Sequence, residues 1–253
     1  MFVPDRRKVI LDLIQLNGGL TTLALAERVG ASLPTVRRDL RALERQGLIV
    51  RTRGGAMSIT HSTAYEPQYN VKVRLRQEAK ERIGRAAAAL IAEGDTVIFD
   101  SGSTARSVAR FARTRRITAV ALDLPTALDL ADSPTVDVLV VGGQVRRELY
   151  AVVGPFAEEM LRQLHVNRLF LGADSVDHRQ GIGNASPAEV PIKRLAIAAA
   201  EEVILVADSS KFGRVSLVHV CDLRQVHHVV TDNDLAPEWQ QALSEMGIRL
   251  TLA

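Results

Sequence analysis

Two sets of residues in this 253-residue chain have the types and spacing to do chemistry. The first is a series of polar turns, each behind an apolar run. Asp100-Ser101-Gly102-Ser103-Thr104 stands between a strand-like stretch and a helical pattern, so backbone N–H groups, two serines and a threonine converge on the positive end of a helix. Such a cradle suits an anion, and phosphate best. Gly142 and Gly143 let backbone approach a ligand closely, with Arg146 three residues on as a charge partner. Gly172 and Asp174 close another apolar run, Glu189 and Lys193 lie four apart on one helical face, and Asp208 to Gly213 carries Lys211. One anchor, several polar groups and a lysine make a small-molecule pocket. Each motif also has a plainer use: a serine turn caps a helix, Glu189 and Lys193 pair on the surface, and Asp174 caps its own turn. Recurrence at four strand ends is what favours a ligand.

The second set is a cluster of arginines. Val36, Leu40 and Leu43 form a helical core stripe behind a capping Ser32, while Arg37, Arg38, Arg41 and Arg45 fill the other faces. The N-terminal residues Ser32, Leu33, Pro34, Thr35, Arg37 and Arg38, with Arg41 behind them, fit a helix entering the DNA major groove, where arginine pairs bidentately with guanine or phosphate. Asp39 reads as an intrahelical partner for a nearby arginine. Downstream, Leu48 to Val50 and Ala56 to Ile59 flank Arg51-Thr52-Arg53-Gly54-Gly55, which reads as a β-hairpin wing whose tip offers Arg51 and Arg53 to the backbone or minor groove. A protein-binding three-helix module with a solvated basic face is the rival reading.

The elements that position these groups are legible from period and punctuation. Val9, Ile10, Leu13, Ile14 and Leu16 form a first helix stopped by Asn17-Gly18-Gly19; Thr21 or Thr22 caps a second, with Leu23, Leu25, Ala26 and Val29 as its buried stripe and Gly30 as its end. The short gap before Ser32 suits a helix-turn-helix corner. Periodicity is lost between Thr60 and Val73, and a helix from Arg74 to Ile91 opens a second domain. Beyond it, apolar runs at 96–99, 117–121, 136–141, 168–171, 203–206 and 228–230 alternate with helical segments, which predicts a parallel sheet covered on both faces with ligands at the carboxyl ends of its strands. The organisation is therefore α/β: a winged helix-turn-helix over 1–59, a linker over 60–77 and a parallel α/β domain over 78–253.

Composition narrows the function classes. The net charge of +3 hides an asymmetry: residues 1–58 hold ten Lys and Arg against five Asp and Glu, and residues 83–253 hold seventeen against twenty-one, so a polyanion partner is expected for the N-terminal part alone. The single cysteine, Cys221, rules out an intrachain disulfide and a multi-cysteine metal site, and reads as a packed thiol in a reducing compartment. No run is apolar enough to span a bilayer, and the charged start at Asp5, Arg6, Arg7 and Lys8 leads into an amphipathic helix with no cleavage site, so a cytoplasmic protein without metal, cofactor or membrane partner is expected.

Thr35-Val36-Arg37-Arg38-Asp39-Leu40, then Leu43-Glu44, Gly47-Leu48 and Arg53-Gly54-Gly55-Ala56, resembles the signature of the DeoR-type regulators. The resemblance continues through Asp100 to Thr104, Gly142 to Arg146, Gly172 to Asp174, Glu189 with Lys193, and Asp208 to Gly213. It implies a winged helix-turn-helix repressor whose sensor domain is similar in fold to ribose-5-phosphate isomerase, with a phosphorylated intermediate of carbohydrate catabolism as the effector that releases operator DNA. Two positions depart from the family. Leu122-Asp123-Leu124 stands where Thr-Asn-Ser is usual, and Ser175-Val176 where Gly-Ile is common. An acid at 123 beside a phosphate would repel it unless a cation intervened. A catalytic alternative is a sugar-phosphate isomerase joined to a DNA-binding head, with Glu189 or Asp174 as enolising base and Lys193 or Lys211 stabilising the oxyanion. The basic head makes sensing the simpler use. A single reader head implies at least a dimer on double-stranded DNA, and the sequence does not separate repressor from activator.

Overall fold

A computed structural model describes residues 3–58, 63–64, 66–147 and 149–253, without the side chains of Pro4, Gln15, Leu16 and Val71. Ile59, the end of the expected wing, residues 60–62 of the expected linker, and the side chain of Leu16 lie outside that description. Contacts divide the chain into two units, Met1–Val71 and Lys72–Ala253.

The first unit runs α1 (Val3–Asn17), β1 (Gly19–Thr21), α2 (Thr22–Val29), α3 (Leu33–Arg45), β2 (Ile49–Thr52) and β3 (Gly55–Ser58). Ile10, Ile14, Leu25, Ala26, Val29, Val36, Leu40 and Leu43 form its core, while Leu23 points to solvent. The Thr21 hydroxyl caps α2 by accepting from the Ala24 N–H at 3.1 Å. The Gly18-Gly19 stop is also the start of a strand, because β1 pairs antiparallel with β3 to give a three-stranded sheet in the order β1-β3-β2. Gly55 makes that sheet possible: a Cβ there would lie 2.3 Å from the Leu20 carbonyl oxygen. The wing is also longer than its apolar residues suggest. Arg51 and Thr52 sit in β2, opposite Ala56 and Gly55, so the turn is only Arg53-Gly54.

Part of the expected linker is helical. Helix α4 spans Tyr69–Arg74, and α5 spans Gln77–Ala88 after Arg76 takes a left-handed conformation with φ of 50°. The helix expected over Arg74 to Ile91 is therefore broken at its start. Beyond α5 come β4 (Thr96–Phe99), α6 (Ser103–Ala112), β5 (Ile117–Ala121), α7 (Leu124–Ala131), β6 (Val136–Val140), the short strands β7 (Gln144–Val145) and β8 (Val152–Val153), α8 (Pro155–Arg162) and β9 (Val166–Leu171). The chain continues through β10 (Ser175–Asp177), β11 (Gly181–Asn184), α9 (Val190–Ala199), β12 (Ala200–Val206), a 3-10 turn at Ser209–Lys211, β13 (Val218–Cys221), β14 (His228–Thr231), α10 (Pro237–Glu245) and β15 (Arg249–Leu252).

Seven strands form one sheet in the order β15-β14-β12-β9-β4-β5-β6, and every neighbouring pair is parallel. Both faces are buried. Val97 and Phe99 of β4 join a cluster with α5 and α6, whereas Ile98 between them joins the cluster of α8, α9 and α10. This is why the strands read as unbroken apolar runs. The six expected strands are present. Added to them are β15, the hairpin of β7 and β8, and an antiparallel sheet in the order β10-β11-β13. From β4 the chain builds outward to β5 and β6, and then returns to place β9 on the other side of β4. The order thus reverses between β4 and β9, and a crevice at their carboxyl ends is the place where such sheets bind ligands.

Candidate functional sites: a basic helix and a lysine-lined cavity

In the first unit the α3 face is open and uncompensated. Ser32, Leu33, Pro34, Arg37, Arg38 and Arg41 are exposed and Thr35 half-buried, and among the described residues none of these arginines pairs with a carboxylate. Ser32 stands at the N-cap, yet its hydroxyl meets Thr35 Oγ1 at 2.9 Å instead of capping a backbone N–H. Asp39 is not an intrahelical partner. It is buried and accepts from Arg6 Nε at 2.6 Å and Arg7 Nε at 3.0 Å, so it ties α3 to α1 and leaves the outer arginines unneutralised. Asp39→Ala would strip two guanidinium groups of their acceptor. Because both arginines keep some solvent, the expected loss is about 1–3 kcal/mol, read as a lower melting temperature of this unit. Arg53 is exposed in the wing turn, while Arg51 is half-buried with Nε shielded from solvent and without a hydrogen-bond partner.

In the second unit a cavity of about 50 Å³ lies at the ends of β12, β9 and β4. Of the residues singled out in the sequence, Ser101, Gly102, Ser103, Thr104, Gly172, Asp174, Glu189, Lys193 and Lys211 line it, joined by Lys72, Lys80, Ala105, Ala173 and Asn184. Four lysines thus face two carboxylates.

Beneath the lining, Asp100 is buried and accepts from the Ser101 N–H at 2.8 Å, the Gly172 N–H at 2.8 Å and the Lys193 ammonium. Lys193 also donates to the Gly172 carbonyl at 3.1 Å. Burial alone would lower the Lys193 pKa, but Asp100 and Glu189 outweigh it and raise it. Asp100 and Lys193 are therefore the clamp joining β4, β9 and α9, and Lys193 is not a surface partner of Glu189. Glu189 accepts instead from Arg146 and, at 3.4 Å, from the Ser101 hydroxyl.

Asp123 also departs from expectation. It is fully buried, caps α7 through the Thr126 N–H at 2.8 Å, and accepts from the Gly102 N–H at 2.9 Å. Burial pushes its carboxyl pKa up. Its role is to hold the Gly102 turn, whose φ of 120° is open to glycine, and it does not line the cavity. Two amides of the expected cradle, Ser101 and Gly102, are consequently engaged. Those of Ser103, Thr104 and Ala105 remain, since the first intrahelical bond of α6 is made by Arg106.

Gly142, Gly143 and Arg146 do not reach the cavity. They follow β6, which is separated from β4 by β5 at about 4.8 Å per strand step. A Cβ on Gly143 would meet the Val153 carbonyl and Ala157, so this glycine serves packing. Among the described residues Arg146 reaches the site by donating to Glu189.

Sequence reasoning missed Lys72, from the expected linker, Lys80, from the helix expected over 74–91, and Ala105, Ala173 and Asn184. Lys72 Nζ donates to Asp174 at 3.1 Å, while its carbonyl accepts from Lys80 Nζ and, at 3.3 Å, from the Ser103 hydroxyl. Asp174 also accepts from the Ala185 N–H at 3.0 Å, and although burial works against it, Lys72 and Lys211 hold its pKa below the usual carboxylate range. Lys80 is pushed down to about 8, chiefly by burial and against the pull of Asp208. Lys211 is lowered by burial as well. Among the described residues its ammonium has no ion pair, which makes it the cation most available to an anion. The sequence signal for Lys72 and Lys80 is a local basic excess, five Lys and Arg against three Asp and Glu over residues 59–82, which runs from the expected linker into the expected helix.

The profile of the DeoR-like helix-turn-helix domain matches residues 6–62, and that of the DeoR C-terminal sensor domain matches residues 75–233. The chain belongs to the DeoR family. This DeoR-type regulator is 34% identical over 98% of its length to the HTH-type transcriptional regulator GlpR of Haloferax volcanii, covering 97% of it. It is 32% identical to a putative aga operon transcriptional repressor of Escherichia coli O157:H7 and 33% identical to the lactose phosphotransferase system repressor of Lactococcus lactis, covering 93% and 95% of those proteins from 98% and 95% of its own chain. Among solved structures it is similar to ribose-5-phosphate isomerase A of Methanocaldococcus jannaschii, with a TM-score of 0.41 and 14% identity over 54% of each chain. The DeoR-type regulator is a DNA-binding transcription factor and not an enzyme. Among its described residues no helix is long and apolar enough to cross a membrane.

Proposed function

We propose that this DeoR-type regulator represses a carbohydrate-catabolism operon and leaves its operator when a phosphorylated sugar occupies the lysine-lined cavity. The observation that carries this reading is the meeting of Lys72, Lys80, Lys193 and Lys211 with the free first-turn amides of α6. A helix terminus and ammonium groups together match a phosphate dianion. In this reading the phosphoryl group sits at the lysines and the α6 amides, with the sugar carbon chain toward Glu189 and Asn184. Two relatives named for the aga operon and the lactose phosphotransferase system support a carbohydrate context. In this reading Ser32 to Thr35, Arg37, Arg38 and Arg41 enter the major groove, and Arg51 and Arg53 of the wing hold the flanking backbone. A thermal-shift screen of the full chain tests the ligand class, because a ligand that binds only the folded state raises the melting temperature. A rise with one phosphorylated sugar and none with its unphosphorylated form supports the reading; no rise with any phosphorylated sugar contradicts it.

Lys80 adds a pH signature. A bound dianion favours the charged ammonium, so binding raises a pKa that stands at about 8 in the free protein and takes up part of a proton near that pH. Affinity is expected to fall as pH rises through 8, where a phosphate monoester with a second pKa of about 6 is already fully ionised. Calorimetry at pH 8 in buffers of different ionisation enthalpy measures the uptake, and Lys80→Met is expected to abolish it.

The wing makes a separate expectation. Arg53→Ala should weaken binding to all DNA sequences alike and lower the slope of log affinity against log salt by about one. A loss confined to particular bases would make Arg53 a base reader.

A further inference from the structure

The open edge of the large sheet carries an interaction surface that the DNA and effector sites do not use. Strand β6 ends the sheet, with β5 on one side and, among the described residues, no strand on the other. Its sequence, Val136-Asp137-Val138-Leu139-Val140, has one charge, and Leu139 and Val140 are exposed. Most of the large exposed apolar side chains of this unit lie in the flanking segment between Leu124 and Phe156, where Leu128 is 70% and Phe156 81% exposed. With no lysine or proline in the strand and, among the described residues, no strand beyond it, this apolar edge is a template for pairing with another strand. The opposite edge, β15, is protected by contrast: it begins with Arg249, which is ion-paired to Glu202, and ends where Arg82 and Asn233 hold the Ala253 carbonyl.

The direction of the backbone groups on β6 follows from one bond. The Val141 N–H donates to the Ala121 carbonyl of the β5 side at 3.2 Å. N–H and C=O groups alternate sides along a strand, so Asp137 and Leu139, in phase with Val141, face β5, while Val136, Val138 and Val140 face outward. An antiparallel copy of the same strand then fits with a two-fold axis at Val138. Val138 exchanges both hydrogen bonds with its own counterpart, and Val136 pairs with Val140 of the second copy on either side. Asp137 falls opposite Leu139 of the second copy, so the two carboxylates do not face each other. The edge is thus self-complementary about one point, which is what an isologous contact requires.

We propose that two copies of this chain pair antiparallel through β6, joining their sheets into one, with the apolar side chains of α7, β7 and α8 completing the contact. The second copy is the occupant because each chain carries one recognition helix and a helix-turn-helix protein reads two half-sites as a symmetric pair; that argument rests on the DNA-binding reading, but the contact itself is measured without DNA. The test is the mass of the purified full chain by light scattering at micromolar concentration. Val140→Lys adds an ammonium at an already exposed position, and Val138→Pro removes an outward N–H that β5 does not use. Leu252→Lys on β15 is the control. The expected result is a wild type and control of equal mass, at least twice that of one chain, and edge variants of half that mass with an unchanged melting transition of the monomer fold. A monomeric wild type, or a Val140→Lys variant that keeps the wild-type mass, would overturn the proposal.

Discussion

Alanine at Arg37 or Arg38 is expected to cost about 1–3 kcal/mol of specific operator affinity, roughly five- to 150-fold, for each arginine that pairs bidentately with a base. Folding should be unaffected, because both side chains are exposed and neither is ion-paired among the described residues. The double variant carries the largest effect on DNA binding, since loss at two separate bases is roughly additive. Binding measured by fluorescence anisotropy, with a scrambled fragment alongside, separates base reading from charge: base readers lose the specific complex and keep most of the nonspecific one. Normal operator affinity in both single variants would remove α3 from recognition.

The second large effect belongs to Lys211. Lys211→Ala removes one charge-assisted contact to a dianion, typically about 1.5–3 kcal/mol, or roughly ten- to 150-fold in effector affinity. Its ammonium supports no ion pair in the free protein among the described residues, so the fold should tolerate the change. The variant is expected to bind operator as wild type does and to fail to release it at effector concentrations that free the wild type. Lys193→Met behaves differently, because its buried partner Asp100 would be left as an unpaired charge holding the Ser101 and Gly172 amides. A loss of about 3–5 kcal/mol in stability is expected there, which would show as a fall in melting temperature before any effect on ligand. Comparing the two variants separates a ligand contact from a structural clamp.

The α3 stripe of Val36, Leu40 and Leu43, the Gly30 corner and the parallel sheet were legible because each rests on local period or punctuation. The same holds for the turn at Asp100 to Thr104, where a strand end meets a helix start. What escaped was decided by tertiary topology. Whether Gly142 and Gly143 belong to the cavity depends on the place of β6 in the strand order, and nothing local states that order. Asp39 sits beside plausible near neighbours, yet its partners come from α1, and Asp123 adds to its local cap on Thr126 a bond from the distant Gly102 turn. Lys72 fell in the expected linker and Lys80 in the expected helix, and they meet because the left-handed turn at Arg76 breaks that helix and lets the Lys72 carbonyl accept from Lys80. Arg51 looked like part of a wing tip because its strand continues past the apolar residues.

Coupling between the two functions has a thermodynamic requirement. An effector lowers operator affinity only if it binds the DNA-released state more tightly, and operator must then weaken effector binding by the same factor. The most direct measurement is therefore operator affinity itself, taken by anisotropy on a genomic fragment selected by the purified regulator and titrated with phosphorylated sugars and their unphosphorylated counterparts. The expected result is saturable release by a phosphorylated sugar, none by its unphosphorylated form, and none in Lys211→Ala at the same concentration. Operator binding that no phosphorylated sugar changes, or release that persists undiminished in Lys211→Ala, would contradict a phosphate-reading lysine cavity as the switch.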